Sequence, residues 1–428
     1  MKLFLALFLF ISNCTFSQSL PANYPSLIKD VTPKVVEWRR HFHQNPELSN
    51  REVNTRNYIS QYLTSLGLEV KSHVANNGVV AILKGGKPGP VIALRADIDA
   101  LPLTEKNSLP FASKVTTTFG GTNVGVMHAC GHDSHTAMLM GTATVLKQMQ
   151  KDVPGTIVFL FQPAEEGAPD NEEGGAALMI KQGALDNPKV DAVFGFHIES
   201  NIPVGEIRYK SGSFMASSDW FTINIKGKGA HGSTPWKGVD PIATATQIIS
   251  GLQQIVSRQM DLSIAPVVIT VGTIQSGVRP NILPAECNLT GTIRTLDSKM
   301  QEDVHERIRN TVKYIAQSTG ASASVSIDKK TLVTYNDPEL VRRSISSLEK
   351  AAGSGNVKIT NWDMNAEDFS FYGQKAPSFF FYLGGMPKGQ DPKTAPSHHT
   401  SEFFIDESGF DLGIKTFCQL IFDYNNKS

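Results

Sequence analysis

Runs of uninterrupted apolar residues, alternating with stretches of helical periodicity, restrict this sequence more than any other feature. VIALRA (91–96) and IVFLF (157–161) show no apolar/polar alternation. A strand with one wet face alternates, whereas a strand apolar throughout has to be covered on both faces, which means helices above and below a largely parallel sheet. GVVAILKG and VDAVFGFHI supply further strands of this kind. Helical spacing runs from Thr32 to Leu66 in two pieces broken at Asn45–Pro46, and helices are expected over about 135–149 and 174–181. The expected fold class is α/β, built on a doubly wound, largely parallel sheet.

Around residue 214 the texture changes. DWFTINIKG and ITVGTIQ alternate apolar with polar residues, and NLTGTIRTL does so loosely, as in a sheet with one buried face. Amphipathic helices over about Asp240–Arg258 and Ser298–Ser318, and a last strand near ASVSIDKK, complete the order strand, helix, strand, strand, helix, strand. That split βαβ order predicts an inserted ferredoxin-like α+β domain over 214–329, and this domain is expected to serve as a lid or dimerisation unit, pairing with its twin through an edge strand. The first domain, 18–213, then resumes over 330–428 through a helix near Pro338–Ala352, EDFSFY, the run SFFFYLGG and a closing helix after Glu407.

The first residues, MKLFLALFLFIS, place one Lys before an apolar run too short to span a bilayer, followed by polar NCTFSQ. They are read as a signal peptide over 1–17 with cleavage near Ser17, giving an exported, periplasmic or extracellular protein. Lipid anchoring at Cys14 is the weaker alternative, Asn13 being awkward before a lipidated Cys. Three cysteines remain after cleavage, Cys130, Cys287 and Cys418, an odd number that forms no complete disulfide framework. With 40 basic and 40 acidic side chains the chain lacks the positive excess that nucleic-acid binding needs.

MHACGHDSHT packs His128, Cys130, His132, Asp133 and His135 into eight positions directly before a helix. Such a density of imidazole, thiol and carboxyl groups is costly to bury without partners, and a divalent cation satisfies several at once. The C-x-H spacing lets Cys130 and His132 face the same side of an extended loop, and a thiolate can bridge two metals. Glu165 and Glu166 follow the apolar strand of GTIVFLFQPAEEG, Asp97 and Asp99 end LRADIDALP, and His197 ends VFGFHI. In open α/β sheets the carboxyl ends of the strands carry the site. His398 and His399, in SHHTSEFF, add donors from a distant loop. Neighbouring glutamates on an extended segment face opposite ways, so one can hold a cation while the other handles a proton.

In order, LRADIDALP, MHACGHDSHTAM, FQPAEEG, GFHI, GKGAHGSTP, NILPAE, GTIRTL, EDFSFY and HHTSEFF resemble the dinuclear-metal amidohydrolases that include hippurate hydrolase, N-acyl-amino-acid amidohydrolases and plant auxin-conjugate hydrolases. The likeness runs from about residue 30 to the end. It implies that Cys130, His132, Glu166, His197 and His399 ligate two divalent ions, zinc or manganese first, with cobalt and nickel also compatible. Cys130 would lie between them, and His399 is chosen over His398 because it precedes Thr400. Glu165 would be the general base, with Asp97 and Asp99 supporting the ligands from behind. His231, in GKGAHGSTP, would reach a second subunit's site to stabilise the oxyanion, and Asn281 would bind near the substrate carboxylate. Two departures, Glu199–Ser200 after the strand-end His and Ser401 after HHT, stand where Pro is common and bear on loop shape rather than ligation.

The implied activity is hydrolysis of an N-acyl amino acid, a small-molecule substrate, by a homodimer that has no membrane span. Two other readings are a dipeptidase or carboxypeptidase of the same fold, and an exported binding protein with a degenerate metal site. The second has no use for a proton-transferring Glu beside a ligand Glu.

Overall fold

Two helices, Tyr24–Gln44 and Val53–Ser65, open this computed structural model, which describes residues 20–424; the expected leader over 1–17 and Cys14 lie outside them. The first helix stops at Gln44 because Asn45 precedes a proline and is driven out of the helical region, to φ −127° and ψ 54°.

Eight strands then pair in the order Glu69–Val74, Gly78–Lys84, Pro154–Gln162, Lys87–Asp97, Ala192–Pro203, Ser378–Met386, Ile207–Tyr209 and Val357–Ile359. The four central ones, from Pro154–Gln162 to Ser378–Met386, are parallel. Antiparallel pairs flank them: the first two strands form an antiparallel hairpin that joins Pro154–Gln162 antiparallel, and Ile207–Tyr209 runs against Ser378–Met386 while pairing parallel with Val357–Ile359.

Consecutive residues of the central strands enter opposite cores, which accounts for their unbroken apolar runs. Ile157, Phe159, Phe161, Phe379 and Phe381 pack with Trp38, Met138, Leu139 and Phe417 of the helices Tyr24–Gln44, His132–Gln148 and Phe410–Asp423. Val158, Leu160, Phe380 and Tyr382 pack the other way, against Met179 of the helix Gly175–Lys181 and Phe369 and Tyr372 of the 3-10 segment Asp368–Gln374. Among the described residues no helix is long and apolar enough to cross a membrane.

A second sheet, ordered Val267–Ser276, Glu286–Thr295, Ser218–Lys226, Ser322–Thr331, is antiparallel throughout. Phe221, Ile223 and Ile225 are buried while Trp220, Asn224 and Lys226 are exposed, the alternation of a sheet covered on one face only. The cover is a pair of helices, Pro241–Gln254 and Ser298–Ser318, which start at Asp240 and Asp297, whose side chains accept from the first-turn amides. The helix expected as far as Arg258 ends at Gln254 and continues as a π turn over Ile255–Gln259.

Candidate metal centre

Lys87–Asp97 and Pro154–Gln162 finish level with each other, Asp97 opposite Gln162, so the segments leaving both strands emerge at one edge of the sheet. Asp99 follows the first, and Glu165 and Glu166 follow the second. The strand carrying His197 does not end there, as the sequence suggested, but continues to Pro203; it parts from Lys87–Asp97 after the pair Arg95 and Gly195, which brings His197 to the same edge. Cys130 and His132 do not share an extended loop either. Gly131 takes φ +95°, a turn that starts the helix His132–Gln148 at His132 itself, three residues earlier than expected.

The turn gathers donors from four stretches of chain. Cys130 Sγ lies 3.3 Å from Nε2 of both His197 and His399. His399 Nε2 is also 3.1 Å from Glu166 Oε1, and His132 Nε2 is 3.9 Å from Glu165 Oε2 and 4.0 Å from Glu166 Oε1. His132 Nε2 and Glu166 Oε1 are buried, yet neither has a hydrogen-bond partner. Buried polar atoms are rarely left so, and ligands about 2.0–2.3 Å from a tetrahedral ion sit about 3.3–3.8 Å from one another. Cys130, Glu166 and His399 form one donor triad and His132, Glu165 and Glu166 another, each within 4.8 Å, with Glu166 common to both. The donor set and its unsatisfied atoms fit a pair of divalent cations.

Hydrogen bonds around the cluster fix which ring nitrogen is available. Nδ1 of His132 lies 2.9 Å from the Asp99 carbonyl and 3.2 Å from Asp99 Oδ1, so it donates there and Nε2 keeps its lone pair. Burial opposes charging this ring, but Asp97 and Asp99 outweigh it and push its pKa up to about 10. His197 Nδ1 donates to the Ile198 carbonyl at 3.0 Å, with Glu199 Oε1 3.2 Å away. Asp99 Oδ2 accepts from Ser49 Oγ and from the amide of Glu166.

Not every member of the expected cluster converges. His135 uses both nitrogens elsewhere, donating to Asp97 Oδ1 at 2.6 Å and accepting from the Ile198 amide at 2.8 Å. Asp133 faces the first helix, 2.8 Å from His43 and 2.9 Å from Arg39. His128 is buried with both nitrogens unpartnered, and burial lowers its pKa to about 4. His398 does lie with Cys130 and His197 in a triad within 4.8 Å, its Nδ1 buried and unpartnered, while its Nε2 accepts from the Ser200 amide and lies 3.3 Å from Glu199. His231 and Asn281 belong to the smaller sheet: His231 is exposed, bonds only Ser233 by its side chain, and neighbours Asn281 through the Gly232 amide. Within the chain neither touches the cluster.

The sequence reading missed the acidic wall behind Glu165. Arg95, fully buried, donates to Asp97, Gln162, Glu367 and Asp368. Glu165 lies within 4.8 Å of Glu367 and Asp368. Burial first, then the charges of Glu367, Glu166 and Asp368, raises the Glu165 pKa well above the carboxylate range. Burial likewise raises the Cys130 thiol, with Glu166 and Glu165 adding to it. An arginine inside an apolar strand was the available signal, because a buried guanidinium needs carboxylates.

A profile of the peptidase family M20/M25/M40 matches residues 93–423. An N-acyl-L-amino acid amidohydrolase from Geobacillus stearothermophilus is 42% identical over 302 residues, 71% of this chain and 78% of that one. A thermostable carboxypeptidase from Saccharolobus solfataricus is 38% identical over 402 residues, 94% of this chain and 98% of its own. The crystal structure of a dinuclear metal-binding M20 peptidase from Bacillus subtilis superposes with a TM-score of 0.76 at 35% identity, covering 94% and 99% of the two chains. The chain belongs to the M20/M25/M40 peptidase family and is a metal-dependent amidohydrolase.

Proposed function

We propose that this protein hydrolyses the amide bond between an acyl group and an amino acid, adding water to give a carboxylic acid and a free amino acid. The observation that carries the reading is the convergence of the donor side chains from four stretches of chain, with His132 Nε2 and Glu166 Oε1 buried and unsatisfied among them. Cys130, His132, Glu166, His197 and His399 would hold two divalent ions. Bound there, such ions supply Lewis acidity, which polarises an amide carbonyl and makes water acidic enough to lose a proton near pH 7.

Glu165 takes that proton and returns it to the departing amine. Support comes from its place in the donor triad with His132 and Glu166 and from the burial and acidic wall that make its carboxylate a better base. Asp99 keeps the His132 lone pair aimed inward and tethers the amide of Glu166. His231 serves as an oxyanion donor. Its Nδ1 accepts from the Ser233 amide, leaving the hydrogen on Nε2. Since His231 touches no ligand within its own chain, we assign it to the site of a second copy, paired through the open edge of the smaller sheet, with Asn281 beside it for the substrate carboxylate. Export by the N-terminal leader is part of the same proposal.

The test is a hydrolysis screen of N-acetyl, N-benzoyl and N-indoleacetyl amino acids against dipeptides, with chelated, manganese-loaded and zinc-loaded protein. Faster turnover of acylated amino acids than of dipeptides is expected. Preference for dipeptides would replace the proposal with the peptidase reading, which the name of the Saccharolobus relative favours.

A further inference from the structure

Glu52 occupies the position just before the helix Val53–Ser65, where a carboxylate ordinarily accepts from its own helix's first amides, yet its side chain makes no such bond. It turns inward, fully buried, and spends its oxygens on other segments. Oε1 accepts from the amide of Ala164 at 2.9 Å and from that of Asn50 at 3.0 Å. Oε2 accepts from Asn77 Nδ2 at 3.2 Å, and Asn77 is fixed in turn by Arg56, whose Nη1 donates to Asn77 Oδ1 at 2.7 Å.

Ala164 is the residue immediately before Glu165, and it sits at φ +54°, a left-handed conformation that side-chain-bearing residues rarely adopt. The kink turns the chain out of the strand Pro154–Gln162 and sets the direction in which Glu165 leaves it. Such a conformation persists only where its surroundings hold it. Two acceptors do so from opposite sides: Glu52 grips the amide before Glu165, and Asp99 grips the amide after it. Asp99 also supports His132, so its removal would disturb several groups at once, but Glu52 touches none of the proposed ligands.

We propose that Glu52 is a positioning residue, which holds the left-handed turn at Ala164 and thereby aims the Glu165 carboxylate at the attacking water. The assignment rests on Glu165 being the general base. What matters is reach rather than charge. Burial, with the nearby Asp99 charge adding to it, pushes the Glu52 carboxyl up to about 8, and its partners Ala164, Asn50 and Asn77 all donate to it, so it serves as an acceptor. Glutamine keeps the Oε1 acceptor for the Ala164 amide and gives up only the Oε2 contact with Asn77 Nδ2; aspartate keeps an acid but withdraws it from the Ala164 amide by one methylene.

The experiment compares Glu52→Gln, Glu52→Asp and Glu165→Gln with the unaltered enzyme at saturating manganese, measuring kcat, KM and bound metal by elemental analysis. Glu52→Gln should keep kcat within about threefold, while Glu52→Asp should lose about 10²-fold in kcat, with KM and metal content little changed, the signature of a misplaced reacting group. Full activity in Glu52→Asp, an equal loss in both Glu52 variants, or metal loss in step with the rate overturns the proposal. If Glu52→Asp does not fold, the glutamine protein decides alone, because a large loss there removes the acceptor role. Glu165→Gln separates the two claims. Normal turnover in that protein sinks the base reading itself, whereas an inactive Glu165→Gln beside a fully active Glu52→Asp sinks only the role given to Glu52.

Discussion

Replacing Arg95 by methionine probes the charge balance on which the centre is built. The guanidinium is fully buried and donates to Asp97 Oδ2 at 2.6 Å, Glu367 Oε1 at 2.9 Å and Asp368 Oδ1 at 3.0 Å. Methionine fills much of the same volume, so the change isolates the charge. Removing one partner of a buried ion pair costs about 3–5 kcal/mol, and here three carboxylates lose the same partner, so about 4 kcal/mol is a lower figure. For a unit of this size that lowers the melting midpoint by roughly 8 °C.

The loss should also depend on pH. Despite burial, Arg95 and two histidines hold Asp97 well below its ordinary 3.8, so Asp97 stabilises the fold above that value and would lose this contribution as pH fell. Asp368 goes the other way: burial raises it to about 7 even with Arg95 beside it, so it weakens the fold as pH rises, and more so without the arginine. Asp97 is ionised in both states between pH 6 and pH 8, so Asp368 alone widens the gap between variant and parent over that range. Thermal melts of metal-free protein at pH 6, 7 and 8 measure it. A gap below about 2 °C at pH 8, or one that shrinks as pH rises, would refute the reasoning.

Glu165→Gln should keep fold and metal but lose about 10²–10⁴-fold in kcat, the usual worth of a general base, with parent-like turnover counting against that role. Cys130→Ala should bind at least one fewer ion per chain by elemental analysis, and an unchanged content would remove the thiolate from the ligand set. Exhaustive chelation should lower the melting midpoint, and restoring manganese to about one hundred times its Kd should return about 2.7 kcal/mol; a midpoint indifferent to metal would mean that the donors hold no ion.

The central sheet was legible because its signal is periodicity over long stretches: Ile157 to Phe161 must be covered on both sides wherever the chain goes. The flanking strands were harder to read. Glu69–Val74 carries alternating, polar-rich residues, and Val357–Ile359 has only three. Their pairing is decided by neighbours distant in sequence. At the site, cysteine, histidine and paired glutamates announced themselves by residue type, but which nitrogen was available did not. His135 and His132 lie three residues apart with the same side chain, and only the Asp97 and Ile198 partners of His135 remove it from contention. Glu52 carried no mark at all, because its role depends on an amide 112 positions away.

Around Arg95 and the proposed ligands, the acids Asp97, Asp99, Glu165, Glu166, Glu367 and Asp368 crowd into the edge of one sheet, with Arg95 as a fixed cation bonded among them. Burial penalises each charge separately, and proximity penalises them together. Without added cations the cluster relieves itself through protons, which is why Glu165 and Asp368 are raised and His132 is held protonated to about 10. Divalent ions held by His132, Cys130 and Glu166 would relieve it differently, supplying positive charge in place of protons, with Glu165 as the basic group beside them. The surplus of acid that makes the metal-free centre unfavourable is therefore what gives it affinity for two cations and a base beside them. Arg95 limits that surplus to what the fold can carry, since a second buried guanidinium would satisfy the carboxylates and remove the reason for metal to bind.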